Sequence, residues 1–293
     1  MSKFINKISL GSAQFGTDYG ISNTKGKTSI NELKKIIDYA SNNNIENIDT
    51  AAMYGSSEKN LGLVGVSNFK IVSKIPPFDD KLNSVEQFIL ENFMNSLRRL
   101  KMDSIRGVLL HDANTLLGVN GGQVYEALQF LKKSGLVSKI GISVYNPSQV
   151  EKVMENFDID IVQGPVNIFD QRFISSGLIS KLSLKGIEFE SRSVFLQGLA
   201  LMDTKYLSNY FLKWIDLFNS FKRILNELEI SPVQACIAFS QALKGIERVI
   251  IGIEDLSQLK EIILASNIEI DTHIFQELSC EDEMLINPSL WPR

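Results

Sequence analysis

The stretch "IRGVLLHDANTLLGVNGGQVYEALQFLKKSGLVSKIGISVY", residues 105–145, alternates between two kinds of periodicity. Its two ends, 105–111 and 137–145, are rich in branched aliphatic residues and have the length of β-strands. Residues 121–134 between them repeat apolar side chains at helical spacing and stop before Gly135, a residue type that commonly ends helices. A strand, a helix and a second strand of these lengths predict a βαβ unit with parallel strands.

The same alternation continues along the chain in both directions. Capping signals mark two of the predicted helices: Ser84 is a predicted N-cap with Gln87 completing a capping box, and Pro147 falls in a first turn. Further strands are predicted at 7–15, 45–50, 70–75, 159–167, 186–195 and 247–253. Further helices are predicted at 31–40, 56–63, 84–100, 147–156, 175–184, 209–228, 232–243, 256–266 and 272–283.

The number of these units decides the predicted fold class. Alternating strands and helices indicate a parallel sheet covered by helices. Eight strands in 293 residues fit a closed (β/α)₈ TIM barrel, which typically needs about 250 residues. An open doubly wound sheet is the alternative, but no G-x-G-x-x-G motif follows the first strand. No linker or low-complexity segment interrupts the chain, so residues 1–293 are predicted to form one domain.

Composition narrows the functional class. Hydrophobic residues make up 44% and charged residues 22% of the chain, which is typical of a globular protein. The net charge of −4 argues against a nucleic-acid partner, since such domains are usually basic. The two cysteines, Cys236 and Cys280, have no paired spacing, so free thiols are predicted rather than a disulfide or a metal site.

Membrane and export signals are not predicted either. The N-terminal segment "MSKFINKISLGSAQFG", residues 1–16, lacks the apolar run of a signal peptide. No segment reaches the roughly 18 consecutive apolar residues of a transmembrane helix. We therefore expect a cytoplasmic protein with no membrane partner.

Reactive side chains follow three neighbouring predicted strands. Asp49, Lys74 and His111 stand at the ends of the second, third and fourth strands, and Tyr54 lies on the loop after the second. Each residue has an ordinary structural explanation: a turn cap, a rim lysine, a core histidine or a packing tyrosine. In a (β/α)₈ barrel, however, the carboxyl ends of the strands share one rim, where active sites lie. The sequence therefore predicts that these side chains meet there.

Together these groups suit the protonation of a carbonyl oxygen. An unperturbed tyrosine titrates near a pKa of about 10, and a close ammonium stabilises its phenolate and lowers that pKa. A carboxylate beside the lysine keeps the ammonium charged and oriented. A neighbouring histidine can orient a carbonyl or relay a proton. Such a general acid serves carbonyl reduction when a hydride donor is bound.

The segments around these residues resemble the aldo-keto reductase family over nearly the whole chain. The most specific segment is "IDTAAMYGSSEKNLG" at 48–62, an aspartate and a tyrosine followed by G-x-S-E-x-x-L-G. Other matching segments, in order, are "LGSAQFG" at 10–16, "VSKI" at 72–75, "VLLHDAN" at 108–114, "KIGISVYNPSQV" at 139–150, "VQGPVNIFD" at 162–170, "SVFLQGL" at 193–199 and "VIIGIEDLSQLKE" at 249–261.

The resemblance implies an NAD(P)H-dependent oxidoreductase that converts an aldehyde or ketone to an alcohol by hydride transfer. Tyr54 would donate the proton, Lys74 paired with Asp49 would lower its pKa, and His111 would orient the carbonyl. Ser143, Asn146 and Gln163 would hold the nicotinamide carboxamide, and Gln197 with Gly198 the pyrophosphate. The other implied cofactor positions are Gly11, Gln14, Phe15, Arg192, Ser193, Phe195, Gly252, Gln258 and Glu261.

Two departures from the family affect cofactor and chemistry. Arg192 stands where many relatives carry an aromatic residue that stacks on the nicotinamide. A guanidinium can also stack, or it could pair with a rim acid. Glu254 and Asp255 stand where NADP(H)-dependent relatives often carry basic or small polar residues, although Gln258 and Lys260 follow. NADP(H) is the expected cofactor on family grounds, with NAD(H) as the alternative.

The substrate and the functional class leave alternatives open. Asp18 and Tyr19 in the polar loop 16–27 suit a small carbonyl or hydroxyl compound such as a sugar, and a solvated loop is the other explanation. Arg172 is expected either to bind an anionic group or to form a structural salt bridge. A lyase or aldolase that uses Lys74 as a Schiff base and a cofactor-sensing subunit without catalysis are the other functional hypotheses.

Overall fold

The computed structural model describes residues 7–78 and 84–292. Residues 1–6, part of the segment in which no signal peptide is predicted, lie outside the described residues. Within the described ranges the strands are β1 (Ile8–Gly11), β2 (Asn47–Asp49), β3 (Lys70–Ile75), β4 (Ile105–Leu110), β5 (Val137–Ser143), β6 (Ile161–Pro165), β7 (Glu188–Arg192) and β8 (Ile246–Gly252).

These strands form a closed parallel barrel in chain order. β1 closes the barrel by pairing with β8, with Gly11 opposite Gly252, and it pairs with β2, with Gly11 opposite Asp49. The predicted (β/α)₈ TIM barrel is therefore confirmed, and the open doubly wound alternative is wrong. The assignment of residues 1–293 to one domain stays a prediction.

Helices cover the outside of the barrel because one face of each is apolar. In the helix Val85–Leu100, the side chains Val85, Ile89, Phe93 and Leu97 are buried at a spacing of four, which places them on one face. In the described ranges the α-helices are α1 (Ile30–Asn42), α2 (Ser57–Val64), α3 (Val85–Leu100), α4 (Asn114–Leu117), α5 (Gly121–Lys133), α6 (Pro147–Met154), α7 (Arg172–Ser175), α8 (Leu178–Leu184), α9 (Ile215–Leu228), α10 (Pro232–Ala242), α11 (Leu256–Ala265) and α12 (Glu283–Ile286).

Several predicted elements differ from those observed. The strand predicted at 7–15 ends at Gly11 and turns into a 3₁₀ helix, Ala13–Phe15. The predicted helix 175–184 is two short helices, α7 and α8. Residues 209–214 and 272–278 are 3₁₀ rather than α-helical. Tertiary packing sets these local choices, and hydrophobic periodicity does not distinguish a 3₁₀ turn from a short α-helix.

Helix caps follow the sequence signals in part. Ser84 accepts from the Gln87 amide as predicted, but the Gln87 side chain donates to Glu91 instead of completing a capping box. α6 begins at Pro147 as predicted, and a capping box forms there between Asn146 and Gln149.

The interior of the barrel combines a small apolar cluster with buried charge. Val72, Leu109 and Ile161 form the apolar cluster. Glu190 of β7 is also buried and accepts from Arg106 of β4 at 2.8 Å. The active-site rim therefore lies above a barrel whose interior already contains paired charges.

Candidate active site

A cavity of about 420 Å³ opens at the carboxyl ends of the strands. Six residues predicted from strand ends line it together: Gly11, Asp49, Ser143, Gln163, Arg192 and Gly252. Parallel strands in a closed barrel all point their carboxyl ends to the same rim, so residues far apart in sequence meet there.

A buried ion pair joins Asp49, which lines the cavity, to Lys74, which is not among the lining residues. Lys74 Nζ lies 2.7 Å from both Oδ1 and Oδ2 of Asp49 and donates to the Thr50 carbonyl at 3.0 Å. Both side chains are almost fully buried. Burial opposes the charged form, but the Asp49 carboxylate, together with Tyr54 and Glu190, outweighs it and raises the pKa of Lys74 above its ordinary value. The ammonium therefore stays charged and is held in place.

Tyr54 lies beside this pair. Its ring centroid is 5.2 Å from Lys74 Nζ. Burial raises the pKa of the Tyr54 phenol above its ordinary value, although the Lys74 charge acts in the opposite direction. Lys74 thus acts in the predicted direction, but the predicted net lowering of the pKa is wrong here because burial of the phenolate outweighs it. The phenol stays protonated and is available as an acid.

His111 completes the group. Its ring meets that of Tyr54 edge-on, with centroids 5.7 Å apart. Burial, followed by the positive charges of Lys74 and Arg192, lowers the pKa of His111 to about 3. The imidazole is therefore neutral near neutral pH, and its buried Nδ1 has no hydrogen-bond partner among residues 7–78 and 84–292. A neutral imidazole can donate to a carbonyl oxygen but does not serve as a strong acid.

Gln163 is oriented by two carboxylates. Its Nε2 donates to Asp49 Oδ1 at 2.8 Å and to Glu190 Oε2 at 3.4 Å. Because both neighbours accept, the amide nitrogen is fixed towards them, and the buried Oε1 has no partner in the described part of the chain. Ser143, on the adjacent strand, lines the same cavity. This part of the site can accept a hydrogen bond from a bound amide.

Arg192, at the end of β7, carries a charge with no acidic partner among residues 7–78 and 84–292. Its guanidinium lies over the Tyr145 ring at 4.6 Å and donates to the Val144 carbonyl at 2.8 Å and to Ser193 Oγ at 3.2 Å. The alternative in which Arg192 pairs with a rim acid is therefore wrong. The side chain brings positive charge to the cavity that Tyr54 and His111 also line.

The segment after β7 has an unusual backbone. Ser193, Leu196, Gln197 and Gly198 all have positive φ angles, so four residues of this segment adopt a left-handed conformation, which is costly for residues other than glycine. The Gln197 carbonyl accepts from the amide of Ile21 at 3.1 Å. This contact joins the segment to the loop after β1 across one end of the cavity, and Ser193, Phe195, Gln197 and Gly198 line it.

A narrow cradle lies between β1 and β8. A Cβ atom on Gly252 would come within 2.7 Å of Gln14 Nε2, and one on Gly11 within 3.2 Å of the Gly252 amide nitrogen. Within the residues that the structure describes, the buried Gln14 Oε1 has no hydrogen-bond partner. Beyond the cradle, the cavity continues past Gln258 and Glu261. Glycine at these two positions lets β1, β8 and the Gln14 side chain pack closely, and both glycines line the cavity.

Comparison with known proteins decides the family. A model of the Aldo/keto reductase family matches residues 7–280. The chain belongs to the aldo-keto reductase family. It is thus an oxidoreductase of the aldo-keto reductase type, as the resemblance of its motifs predicts. A comparison with curated proteins gives no match.

Solved structures agree with the fold of this aldo-keto reductase. The aldo-keto reductase AKR11C1 from Bacillus halodurans, in its holo form, is similar at 19% identity and a TM-score of 0.75, with 95% of each chain covered. The thermostable aldo-keto reductase Tm1743, in complex with the inhibitor epalrestat, is similar at 19% identity and a TM-score of 0.71, with 93% of each chain covered. At this identity the likeness concerns the fold.

Two predicted cofactor positions of this aldo-keto reductase do not line the cavity. Phe15 is fully buried in the hydrophobic core. Asn146 caps α6, where its Oδ1 accepts from Gln149 and Ser148. Its side chain is already committed to the helix start, which sequence position alone does not reveal.

The rim contains features that sequence reasoning missed or left open. Tyr145 lines the cavity and was not singled out, although residues two apart on a strand share a face and Ser143 was predicted there. Tyr19 lines the cavity as expected, whereas Asp18 is not among the lining residues. Arg172 donates to Asp170 at 2.8 Å, which supports its structural explanation.

The remaining described features concern membranes and metals. In residues 7–78 and 84–292, no helix combines the length and the apolar character needed to cross a bilayer. Within the same ranges, no three side chains of His, Cys, Asp or Glu are grouped to hold a metal ion.

Proposed function

We propose that this aldo-keto reductase interconverts an aldehyde or ketone and the corresponding alcohol, with NAD(P)(H) as the redox partner and Tyr54 as the general acid. The observation that carries the proposal is the buried Lys74–Asp49 pair, with two contacts of 2.7 Å, beside Tyr54 and His111. Such a buried cationic group next to a phenol suits proton delivery to a developing alkoxide.

The chain's own residues divide the work of reduction. The His111 imidazole is neutral, so it donates a hydrogen bond to the carbonyl oxygen and orients it. Tyr54 then gives its proton to that oxygen, and the Lys74 charge stabilises the phenolate left behind. Asp49 holds Lys74 charged and in place. When bound, a nicotinamide cofactor would supply the hydride. In the reverse direction the Tyr54 phenolate accepts the alcohol proton.

The lining residues fit a dinucleotide. The unpartnered Oε1 atoms of Gln163 and Gln14 offer acceptors for a carboxamide and for ribose hydroxyls. Ser143 lines the cavity beside Gln163 and would share the carboxamide. The segment around Gln197 and Gly198 would hold the pyrophosphate. Its left-handed backbone resembles the turns whose amides form concave anion sites.

The other proposed cofactor contacts follow from the same arrangement. Gly11 and Gly252 line the cavity without side chains, so the dinucleotide would approach the backbone there. Arg192 lies with its guanidinium at the rim and would stand beside the nicotinamide, as its sequence position predicts. The remaining proposed contacts are Ser193, Phe195, Gln258 and Glu261.

The proposed substrate is a small carbonyl or hydroxyl compound, with a sugar-like molecule as the favoured class. Tyr19 and Tyr145 line the cavity near the proposed acid, and their rings and hydroxyls suit a hydroxylated carbon skeleton. The cytoplasmic location stays a prediction, as does the absence of a nucleic-acid partner.

The lyase or aldolase alternative fits the site less well. A Schiff base requires an uncharged lysine amine that a substrate can reach. The Lys74 ammonium donates to both oxygens of Asp49 and to the Thr50 carbonyl, and its pKa is raised. Its three donors are thus all engaged, and almost none of the side chain is exposed.

The decisive experiment replaces Tyr54 by phenylalanine and follows NADH and NADPH oxidation with a panel of aldehydes. We expect kcat to fall at least about 100-fold, while cofactor binding, measured by quenching of intrinsic fluorescence, is retained. Tyr206→Phe is the matched control, because Tyr206 is 69% exposed. Full turnover by the Tyr54→Phe protein would remove Tyr54 from the mechanism. Cofactor binding by the unaltered protein without turnover of any aldehyde would favour the sensing subunit.

A further inference from the structure

The far end of the cavity is acidic. Glu254 and Glu261 line it beside Gln258, in the turn after β8 and the first turns of α11. If a dinucleotide binds as proposed, with its nicotinamide near Tyr54, this end receives the adenosine ribose. The 2′ position of that ribose carries a hydroxyl in NAD(H) and a phosphate in NADP(H), so the chemistry of this end distinguishes the two.

Two of the first amides at the N-terminus of α11 already have acceptors within the protein. Such a terminus often binds phosphate, because its first amides have no partner in the helix. Here the Leu256 amide donates to Glu32 Oε1 at 3.0 Å, and the Gln258 amide donates to Asp255 Oδ1 at 2.9 Å. The Glu254 amide donates to the Gln258 side chain at 2.8 Å. At the Leu256 and Gln258 amides, carboxylates of the protein thus take the place that a phosphate would need.

Positive charge is also missing from this end. Among the described residues that line the cavity, Arg192 is the only lysine or arginine, and it lies at the opposite, catalytic end. Lys25 is paired with Asp255. Lys260 lies 5.5 Å from the Tyr39 ring centroid and does not line the cavity. A 2′-phosphate would therefore face carboxylates, with no unpaired cation at this end among the described residues that line the cavity.

We propose that the site selects NAD(H) over NADP(H), in contrast to the expectation from the family. This inference rests on the proposed function. A ribose diol offers two hydroxyl donors, and carboxylates such as Glu254 and Glu261 accept from hydroxyls of this kind, as acidic residues do in other NAD sites. The same carboxylates repel a 2′-phosphate at close range. The acidic end thus recognises the diol and excludes the phosphate.

The direct test measures the dissociation constants of NADH and NADPH by isothermal titration and fluorescence, without substrate. We expect NADH to bind at least about tenfold more tightly, which corresponds to about 1.4 kcal/mol. Raising the salt concentration from about 50 to about 500 mM should reduce the difference between the two dissociation constants, because ions screen the repulsion of the phosphate.

Two charge-reversal variants test the origin of the preference. Glu261→Lys should bring the NADPH affinity to within about threefold of the NADH affinity. Glu269→Lys is the matched control, because Glu269 is exposed, does not line the cavity and makes the same change in net charge. A similar shift in both variants would contradict a local effect of the acidic end.

The outcomes separate this inference from the proposed function. Tighter binding of NADPH than of NADH would overturn the inference, and loss of that preference in Lys25→Gln would assign the 2′-phosphate to Lys25. Failure of both dinucleotides to bind would instead overturn the proposed function, and the inference with it. Preferential NADH binding that Glu261→Lys removes supports both.

Discussion

Lys74 Nζ lies 2.7 Å from each oxygen of the Asp49 carboxylate inside the barrel. Neighbouring strands contribute the two residues. The pair is sealed from solvent, with 1% of the Lys74 side chain and 5% of the Asp49 side chain exposed. Because each charge is buried, each depends on the other for its stability. The pair therefore links the stability of the barrel to the proposed chemistry.

Lys74→Met should lower both the stability of the barrel and the proposed catalytic activity. It leaves Asp49 as a buried unpaired carboxylate, which typically costs about 3–5 kcal/mol in the free energy of unfolding. It also removes the charge beside Tyr54, so kcat/KM should fall at least about 100-fold. Urea unfolding and steady-state kinetics measure the two effects.

The double variant Lys74→Met with Asp49→Leu separates the effect on stability from the effect on activity. Replacing both partners of a buried ion pair by apolar residues often restores stability, so we expect most of the unfolding free energy to return while activity stays low. Recovery of activity in the double variant would exclude a role for the Lys74 charge.

His111 should make the protein less stable as the pH falls. Its pKa is lowered to about 3 in the folded protein, against about 6.5 when unfolded. Below about pH 6.5, His111 binds a proton in the unfolded state but stays unprotonated in the folded state. The free energy of unfolding is therefore highest above this pH and decreases on acidification. Linkage gives a loss of about 2 kcal/mol between about pH 8 and pH 5.

Urea denaturation across this pH range measures the His111 effect. His111→Asn should reduce the pH dependence by the same amount, whereas His273→Gln serves as the control because His273 is exposed on the surface. An unchanged pH dependence in His111→Asn would mean that other groups produce it.

Arg192→Gln should change the relative affinities of the protein for the oxidised and the reduced cofactor. The oxidised nicotinamide ring is positively charged and the reduced ring is not. An arginine without an acidic partner among the described residues therefore weakens binding of the oxidised form. We expect the ratio of the two dissociation constants, oxidised over reduced, to fall about tenfold in Arg192→Gln. Titration with both forms measures it.

Arg192→Lys keeps the charge and should keep most of the ratio, which makes it the matched control for Arg192→Gln. Equal loss in both variants would indicate that the flat guanidinium, stacked 4.6 Å from the Tyr145 ring centroid, matters more than its charge.

Gly198→Ala should weaken cofactor binding at least about tenfold. Gly198 has a φ of +91°, and an added Cβ would lie 1.9 Å from Ser22 Oγ. The side chain would therefore push apart the two segments that close this end of the cavity. Fluorescence titration with NADH measures the loss.

Gly177→Ala provides the control for backbone strain. Gly177 also has a positive φ, +69°, but an added Cβ would meet nothing within 4 Å. It should cost about 1 kcal/mol of stability and leave cofactor affinity unchanged. Equal loss of affinity in both glycine variants would argue against the contact with Ser22.

The sequence by itself determined the barrel and the meeting of the reactive side chains. Alternation of strand and helix periods fixes a parallel sheet, and eight units close it. Once the barrel closes, Asp49, Lys74 and His111 must share a rim, because all parallel strands end at the same edge. This consequence of topology needs no knowledge of contacts.

Only the tertiary structure decided the pKa shifts and the hydrogen-bond partners of these groups. The predicted lowering of the Tyr54 pKa failed because burial, which depends on every neighbour, exceeds the effect of one nearby charge. Whether Asn146 faced the cavity or capped a helix was likewise a choice between two hydrogen bonds that the sequence allows equally. Gln163 is oriented by Asp49 and also by Glu190, a residue that no motif singles out.

At the acidic end of the cavity, too, the sequence determined one part of the arrangement and the tertiary structure another. The sequence places Glu254 and Asp255 after the eighth strand, but it does not show that Glu32, 224 residues from Leu256, occupies an amide of α11. Local patterns report propensities over a few residues, whereas burial and long-range hydrogen bonds exist only after the chain has folded. The sequence thus determined which residues surround the cavity, and packing decided which of their charges and hydrogen-bonding atoms are free to bind a ligand.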